Sequence, residues 1–157
     1  MKKVVFVCLG NICRSPMAEA VFRQMVHEAG LDAQILIDSA ATSSWEQGNP
    51  VHPGTVKRLA QEGISTDGMY SRQLSAQDYD ADYLIGMDAS NLRHIERFAA
   101  GKSQAKIRRL LAFTDHERDI ADPWYTGDFE TTYQDVIAGC RGLLAELQTE
   151  LAGKNKK

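Results

Sequence analysis

The sequence predicts an α/β protein, in which a parallel β-sheet is covered by helices on both faces. The first indication is the continuous β-branched and aromatic run at Val4–Val7, a pattern typical of a strand buried on both of its faces. The second is that short apolar runs alternate with amphipathic segments of helical period, which favours parallel strands joined by helical crossovers. The sequence contains no repeat, linker or low-complexity tract, so a single domain is expected.

The remaining elements can be assigned in chain order. Ser15-Pro16 resembles a helix cap followed by a first-turn proline, and apolar residues four positions apart predict a helix that ends at Gly30. Further along, the patterns predict strands at 35–37, 83–87 and 107–113, a long loop at 40–53, and helices at about 54–62, from 88–90 onward and at about 129–151. Ligands in parallel sheets bind beyond the carboxyl ends of the strands, which is where the residues after Val7 lie.

The composition excludes several classes of protein. With 157 residues, 43% of them hydrophobic and 25% charged, the chain is typical of a globular domain with one core, and its net charge of -3 gives no basic nucleic-acid footprint. The apolar run at Val4–Leu9 is too short for a membrane span or a signal peptide. Three cysteines, Cys8, Cys13 and Cys140, are too few for a disulfide framework. We therefore expect a cytoplasmic protein that neither binds nucleic acid nor inserts into a membrane.

The segment from Cys8 to Ser15 joins the first strand to the first helix. Five residues between Cys8 and Arg14 allow the backbone to curl so that several N–H groups converge on one point, to which the helix adds its positive end. Gly10 permits a backbone conformation or a close approach that a side chain would block. Arg14 offers a planar fork for two phosphate oxygens. The spacing therefore predicts a phosphate-binding loop around Cys8 that consists of Leu9, Gly10, Asn11, Ile12, Cys13 and Ser15.

Cys8 is expected at the floor of this loop, as a nucleophile that attacks phosphorus. The groups that bind phosphate also favour a thiolate, and Ser15 can donate a hydrogen bond to the sulfur. Alternatively, a cysteine that ends a buried strand is a small hydrophobic residue, or the loop is an anion site without catalysis. The Walker and GxGxxG patterns are absent. The register of strand, cysteine, arginine, serine and helix start favours the nucleophile.

With these residues the sequence resembles the low-molecular-weight protein tyrosine phosphatases. The resemblance rests on the motif Val7–Pro16 and on a second, distant motif at Asp122–Tyr125. It implies a four-stranded parallel twisted sheet of order 2-1-3-4 flanked by helices on both faces, in a single phosphatase domain over residues 1–157. It also implies hydrolysis of phosphotyrosine through a cysteinyl-phosphate intermediate.

The resemblance assigns a role to each site residue. Cys8 is the nucleophile, Arg14 stabilises the transition state, and Asp122 is the general acid and then the general base. From the residues alone an Asp-Pro pair is more often a turn element, although an aryl leaving oxygen does require a proton donor. Asn11 and Ser39 are assigned to support of the loop. The rim of the cleft is assigned to three aromatic residues, Trp45, Trp124 and Tyr125.

Three further residues raise questions of their own. Met69 stands where some members of the family have a histidine in the network around Asn11, so a polar partner is missing. Asp88 matches an acidic position near that network but is equally compatible with a helix cap. Cys13 is close enough to Cys8 in sequence to suggest a reversible Cys8–Cys13 disulfide that protects Cys8 from irreversible oxidation.

The same residues bear on three other activities. Arsenate reduction on the same fold needs further cysteines, and Cys140 falls on the apolar stripe of the last helix. Relatives that hydrolyse phosphoarginine have threonine where Ile12 stands, so Ile12 favours phosphotyrosine. A binding module without activity is disfavoured by the intact Cys8, Arg14 and Asp122. No metal or organic cofactor is expected, and phosphotyrosine-containing proteins are the expected partners, with a bacterial tyrosine kinase as a further candidate.

Overall fold

One parallel sheet organises the fold. The computed structural model describes residues 1–155; Lys156 and Lys157, at the end of the predicted domain, lie outside the described residues. The four strands are β1 Lys2–Cys8, β2 Ile35–Ala41, β3 Tyr83–Gly86 and β4 Lys106–Arg109. All three pairings are parallel and the order is β2-β1-β3-β4, which confirms the predicted sheet and its strand order.

Five α-helices are formed within residues 1–155. They are α1 Arg14–Glu28, α2 Pro53–Ala60, α3 Ala89–Ala99, α4 Pro123–Thr126 and α5 Phe129–Asn155. Two short 3-10 helices occupy Ala76–Asp78 and Leu110–Phe113. No helix in this part of the chain is both long and apolar enough to cross a membrane.

The central strand β1 contributes side chains to two separate cores. Val4 and Phe6 pack with α1 and α5, whereas Val5 and Val7 point to the other face and pack with Ile95 of α3. Alternate residues of a strand point to opposite faces, so burial on both faces explains why the run is apolar at every position. Helices therefore cover both faces, as predicted, and β1 delivers Cys8 to the middle of the carboxyl edge.

Several predicted boundaries are wrong. Ser15 does not cap α1, because the helix begins at Arg14 and the hydroxyl of Ser15 bonds to other side chains of the loop. β2 continues to Ala41, so the long loop starts later than expected. The fourth strand ends at Arg109. The next four residues form a 3-10 helix that packs against α5, where a Cβ added at Gly142 would overlap the backbone of Phe113.

Candidate active site

Cys8 lies at the carboxyl end of the central strand and is 3% exposed. The chain then turns through the loop and enters α1 at Arg14. Both neighbouring strands end at the same edge, and ligands of parallel sheets bind beyond that edge. The structure thus places Cys8 and the predicted loop where a site is expected.

The carbonyl groups of the loop are held outward by flanking segments. Four of them accept hydrogen bonds of 2.8 to 3.1 Å: Leu9 from Ser43, Gly10 from Ser71, Ile12 from His52 and Cys13 from Thr55. A peptide group whose carbonyl faces outward directs its N–H to the opposite side, so the concave side of the loop is rich in donors. The N–H of Asn11 donates to the sulfur of Cys8 at 3.3 Å.

Asn11, and not Gly10, has the unusual backbone conformation of the loop. Asn11 has a φ of 56°, in the left-handed region that asparagine tolerates better than most residues, whereas Gly10 does not have a positive φ. Gly10 instead allows a close approach, which is the other property expected of it: a Cβ added at Gly10 would lie 3.3 Å from Cγ of Glu46. The special backbone conformation therefore belongs to a residue that also has a side chain for hydrogen bonding.

The side chain of Asn11 links Cys8 to β2. Its Nδ2 donates to the hydroxyl oxygens of Ser15 at 2.8 Å and Ser39 at 2.9 Å, and Ser15 Oγ lies 3.0 Å from Cys8 Sγ. Its Oδ1 accepts from the backbone N–H of Arg72 at 3.1 Å. Asn11 and Ser39 are thus in contact as predicted. Met69, which lacks the expected polar group, packs against the main core, and the amide of Asn11 has its partners without it.

Arg14 is buried, and hydrogen bonds hold one edge of its guanidinium group. Nη1 donates to Asp88 at 2.7 Å and to the carbonyl of Ile120 at 2.8 Å. Nη2 lies 3.5 Å from Asp122, and the buried Nε has no hydrogen-bond partner among the described residues. Burial alone would lower the pKa of Arg14, but Cys8, Asp88 and Asp122 outweigh it and raise the pKa. The Nε–Nη2 edge, whose one contact is the long one with Asp122, has the geometry for two phosphate oxygens.

Asp88 is a helix cap, as one of its two predicted roles requires, but its other contact is with Arg14 and not with the network around Asn11. Oδ2 accepts from Arg14, while Oδ1 accepts from the backbone N–H of Asn91 at 2.7 Å and caps α3. The cap fixes the carboxylate, and the carboxylate fixes the bound edge of Arg14. Asp88 therefore orients Arg14 from the end of the neighbouring strand.

Asp122 likewise serves as a helix cap that faces the site. Its Oδ1 accepts from the N–H of Trp124 at 3.0 Å at the start of α4, and its Oδ2 is the atom near Arg14. The turn interpretation and the catalytic interpretation of the Asp-Pro pair are thus compatible. The cap brings a carboxyl group to the wall of the cavity that contains Cys8.

The cavity over Cys8 has a volume of about 150 Å³ and an aromatic mouth. Its walls include Ile12, Cys13 and Asp122, and its mouth includes the three predicted rim residues, Trp45, Trp124 and Tyr125. These rings are 76%, 55% and 77% exposed. Large exposed rings around a narrow pocket are suited to stacking against an aromatic substrate.

The other two cysteines differ from Cys8 in their surroundings. Burial, with help from the charges of Asp122 and Cys8, raises the pKa of Cys13 to about 12, so Cys13 is a thiol at neutral pH. Cys140 is enclosed in the core, and burial raises its pKa as well. In residues 1–155 no three His, Cys, Asp or Glu side chains are grouped so that they could hold a metal ion.

His52 is a neighbour of the site that sequence reasoning missed. Its Nδ1 accepts from the N–H of Gly54 at 3.0 Å and caps α2. Its ring meets the ring of Trp124 edge to face at 5.5 Å and stacks on Phe129 at 5.2 Å. The His-Pro-Gly sequence signals a helix start, but nothing local signals the contact with Trp124. His52 therefore joins the wall of the loop, through Ile12, to the segment that carries Asp122.

Comparison with known proteins identifies the family. The family model for low molecular weight phosphotyrosine protein phosphatases matches residues 3–153. The chain belongs to this family. It is 49% identical over 153 residues to the low molecular weight protein-tyrosine-phosphatase YfkJ of Bacillus subtilis strain 168. The aligned region covers 96% of this chain and 98% of YfkJ.

Solved structures of the family have the same architecture. The crystal structure of YfkJ superposes with a TM-score of 0.91 over 96% of each chain. The phosphatase SP-PTP of Streptococcus pyogenes gives a TM-score of 0.83 at 44% identity, over 94% of this chain and 93% of that one. DARP, the drosophila arginine phosphatase, gives 0.86 at 35% identity, over 94% of this chain and 98% of that one. The solved structures that resemble this chain thus include proteins whose names refer to two substrates.

The two contacts of His52 can be separated by substitution. Asparagine keeps an acceptor for the N–H of Gly54 but removes the ring, whereas phenylalanine keeps a ring but removes the acceptor. We expect His52→Asn to raise KM for an aryl phosphate about threefold to tenfold, the effect of losing an aromatic contact of about 0.5–1.5 kcal/mol, and His52→Phe to leave KM nearly unchanged. Steady-state kinetics on folded variants check this; equal effects of both variants would contradict the role of the ring.

Proposed function

We propose that this protein hydrolyses phosphotyrosine in proteins, with Cys8 as the nucleophile, Arg14 as the transition-state stabiliser and Asp122 as the general acid and base. The observation that carries the proposal is that Cys8 and Asp122 line one cavity with an aromatic mouth, while Nη2 of the buried Arg14 lies 3.5 Å from the carboxyl group of Asp122. The family to which the chain belongs and the names of its relatives support the same activity.

In the first step, the thiolate of Cys8 attacks phosphorus. A sulfur–phosphorus bond forms, the bond from phosphorus to the tyrosine oxygen breaks, and Asp122 gives its proton to that oxygen. The N–H groups of the loop and the Nε–Nη2 edge of Arg14 hold the phosphoryl oxygens, where charge is concentrated in the transition state. The product is a cysteinyl-phosphate on Cys8 and a free tyrosine side chain.

In the second step, the carboxylate of Asp122 takes a proton from water. The water oxygen attacks phosphorus, the sulfur–phosphorus bond breaks, and inorganic phosphate leaves with Cys8 again a thiolate. Sulfur is a better leaving group when hydrogen-bond donors receive its charge, and the N–H of Asn11 and the hydroxyl of Ser15 lie within 3.3 Å and 3.0 Å of it. Ser15 therefore assists the departure of sulfur in this step.

The protein's surroundings follow from the same proposal. A reducing cytoplasm suits the three cysteines, which are free in the structure, and keeps Cys8 available as a nucleophile. A tyrosine kinase of the same cell must supply the phosphorylated proteins, since the reaction consumes a phosphotyrosine. We propose a bacterial tyrosine kinase in this role because YfkJ belongs to a bacterium.

Two variants test the assignment of the catalytic groups. Cys8→Ser is expected to abolish turnover of aryl phosphates while phosphate still binds, because the loop donors and Arg14 remain. Asp122→Asn keeps the cap on Trp124 but has no proton to give, so kcat for phenyl phosphate should fall about 10²–10⁴-fold. The loss should be smaller for p-nitrophenyl phosphate, whose leaving group needs no proton. Wild-type rates in either variant would refute the mechanism.

Ile12 is expected to favour phosphotyrosine over phosphoarginine. Its side chain lines the cavity and is apolar, so it stacks against a ring but offers nothing to a guanidinium group. We expect the wild-type protein to hydrolyse a phosphotyrosine peptide faster than the matched phosphoarginine peptide, and Ile12→Thr to narrow the ratio. Phosphate release from the two peptides measures this, and faster release from phosphoarginine in the wild type would reverse the substrate assignment.

We also propose that Cys8 and Cys13 form a reversible disulfide under oxidative stress. Peroxide oxidises the thiolate of Cys8 to a sulfenic acid and is reduced to water; the thiol of Cys13 then displaces the hydroxyl group as a second water. Mass spectrometry after mild peroxide treatment is expected to find a Cys8–Cys13 linkage that dithiothreitol removes with return of activity. In Cys13→Ser, Cys8 should proceed to the irreversible sulfinic acid. Sulfinic acid at Cys8 of the wild type, without the linkage, would contradict the proposal.

A further inference from the structure

The hydrogen-bond chain that starts at Cys8 continues past Ser39 to a buried carboxylate. Glu19 of α1 is 6% exposed, and its Oε1 accepts from the hydroxyl of Ser39 at 2.5 Å. Its Oε2 accepts from Nη2 of Arg23, one helical turn away, at 2.6 Å. Neither residue is part of the phosphate-binding loop, and the chemistry proposed above does not use them.

The direction of each hydrogen bond in the chain follows from counting protons. Arg72 can offer only an N–H, so the atom of Asn11 that faces it must be the oxygen, and the amide nitrogen must face Ser15 and Ser39. Each hydroxyl therefore accepts one proton from Asn11. Each also has one proton of its own left to donate.

The ionised carboxylate of Glu19 fixes the outer end of the chain because it can only accept. It takes the single proton of Ser39, which leaves the oxygen of Ser39 to accept from Asn11. The opposite direction, in which Ser39 donates to a rotated amide, would set the amide nitrogen of Asn11 against the N–H of Arg72. Glu19, through Ser39, and the backbone N–H of Arg72 thus both oppose the rotated orientation of the Asn11 amide.

At the end of the chain next to Cys8, the hydroxyl of Ser15 is the donor that faces the sulfur. Ser15 already accepts from Asn11, so its own proton is free for Cys8 Sγ at 3.0 Å. In the rotated arrangement Ser15 would donate to the oxygen of Asn11 instead, and Cys8 would lose this donor. We propose that Glu19 is a positioning residue that, through Ser39 and Asn11, directs the hydroxyl proton of Ser15 to Cys8; the proposal rests on the proposed function of Cys8.

The surroundings of Glu19 explain why this chain needs no polar residue at position 69. Glu19, Ser39 and Met69 border one polar cavity of about 250 Å³ behind the loop. Ser39 reaches the carboxylate of Glu19 directly, without a side chain between them. Burial raises the pKa of Glu19, and the contacts with Ser39 and Arg23 act against that rise. The polar end of the network is therefore an acid in α1.

Glu19→Gln is the first test, with Glu28→Gln as its control. Glutamine can either donate to or accept from Ser39, so the side chain at position 19 no longer opposes the reversed direction of the chain, and only the N–H of Arg72 still does. We expect Glu19→Gln to lower kcat for an aryl phosphate about tenfold with KM unchanged, and the cysteinyl-phosphate to accumulate in rapid-quench samples. Glu28 lies exposed on the same helix, and its substitution should change neither quantity. An unchanged kcat in folded Glu19→Gln overturns the proposal.

A double-mutant cycle shows whether Glu19 directs the hydroxyl proton of Ser15 or only supports the fold. If Glu19 acts through Ser15, then Glu19→Gln should have no further effect on kcat in a Ser15→Ala background. The same loss in both backgrounds would show a structural role and overturn the proposal. Ser39→Ala breaks the link while Arg23 still pairs with Glu19, and it should reproduce the effect of Glu19→Gln if the latter folds poorly.

A readout without turnover separates this proposal from the proposed function. The rate at which iodoacetamide alkylates Cys8 reports the thiolate directly. Glu19→Gln should move the pH profile of alkylation to higher pH, and should not move it in the Ser15→Ala background. A shift in both backgrounds, or in neither, overturns the role of Glu19. Failure of the wild-type protein to release phosphate from any aryl ester would refute the proposed function while leaving the alkylation result intact.

Discussion

The outward attachment of the loop carbonyls is the constraint on which the rest of the site depends. A short loop can line a cavity with N–H groups only if its carbonyl groups find donors on the other side, because unpaired buried carbonyls are costly. Here those donors come from Ser43, Ser71, His52 and Thr55, which belong to three separate segments of the chain. The fold must therefore bring these segments together before the loop can take its shape. The parallel sheet contributes by ending β1 and β2 at one edge, which places Ser43 beside the loop.

Arg14 adds a buried positive charge to this loop. A buried guanidinium group is tolerated only when acids and carbonyls compensate for lost water. Asp88 and the carbonyl of Ile120 satisfy one edge and hold the planar group still, so the other edge remains with Nε unpaired and Nη2 only loosely placed near Asp122. In the proposed reaction, a substrate phosphoryl group supplies the missing acceptors. The proposed affinity for phosphate thus arises because this buried cation is only partly paired.

The sequence allowed the sheet, its strand order by resemblance, and the residues of the loop to be predicted, because these follow from local patterns. Prediction from the sequence failed mostly where a side chain contacts a residue of another helix, strand or loop. Ser15 has the identity of a cap but does not cap α1, although its predicted contact with Cys8 is formed. Asn11, and not Gly10, takes the left-handed turn. Glu19 and His52 gave no signal of their contacts with the site. Those contacts join residues from different elements, and no periodicity or spacing in one sequence specifies them.

Cys8 and Cys13 are the same residue type, but their surroundings in the fold give their sulfur atoms different properties. Both are buried cysteines of one loop, five residues apart in sequence, and both face the same cavity. Cys13 is kept as a thiol, because burial and the nearby charges of Asp122 and Cys8 oppose a second negative charge. Cys8 instead receives an N–H from Asn11 and faces the hydroxyl of Ser15, whose proton is directed by the network behind the loop. The difference between nucleophile and neighbour therefore lies in which peptide and hydroxyl groups the fold aims at each sulfur.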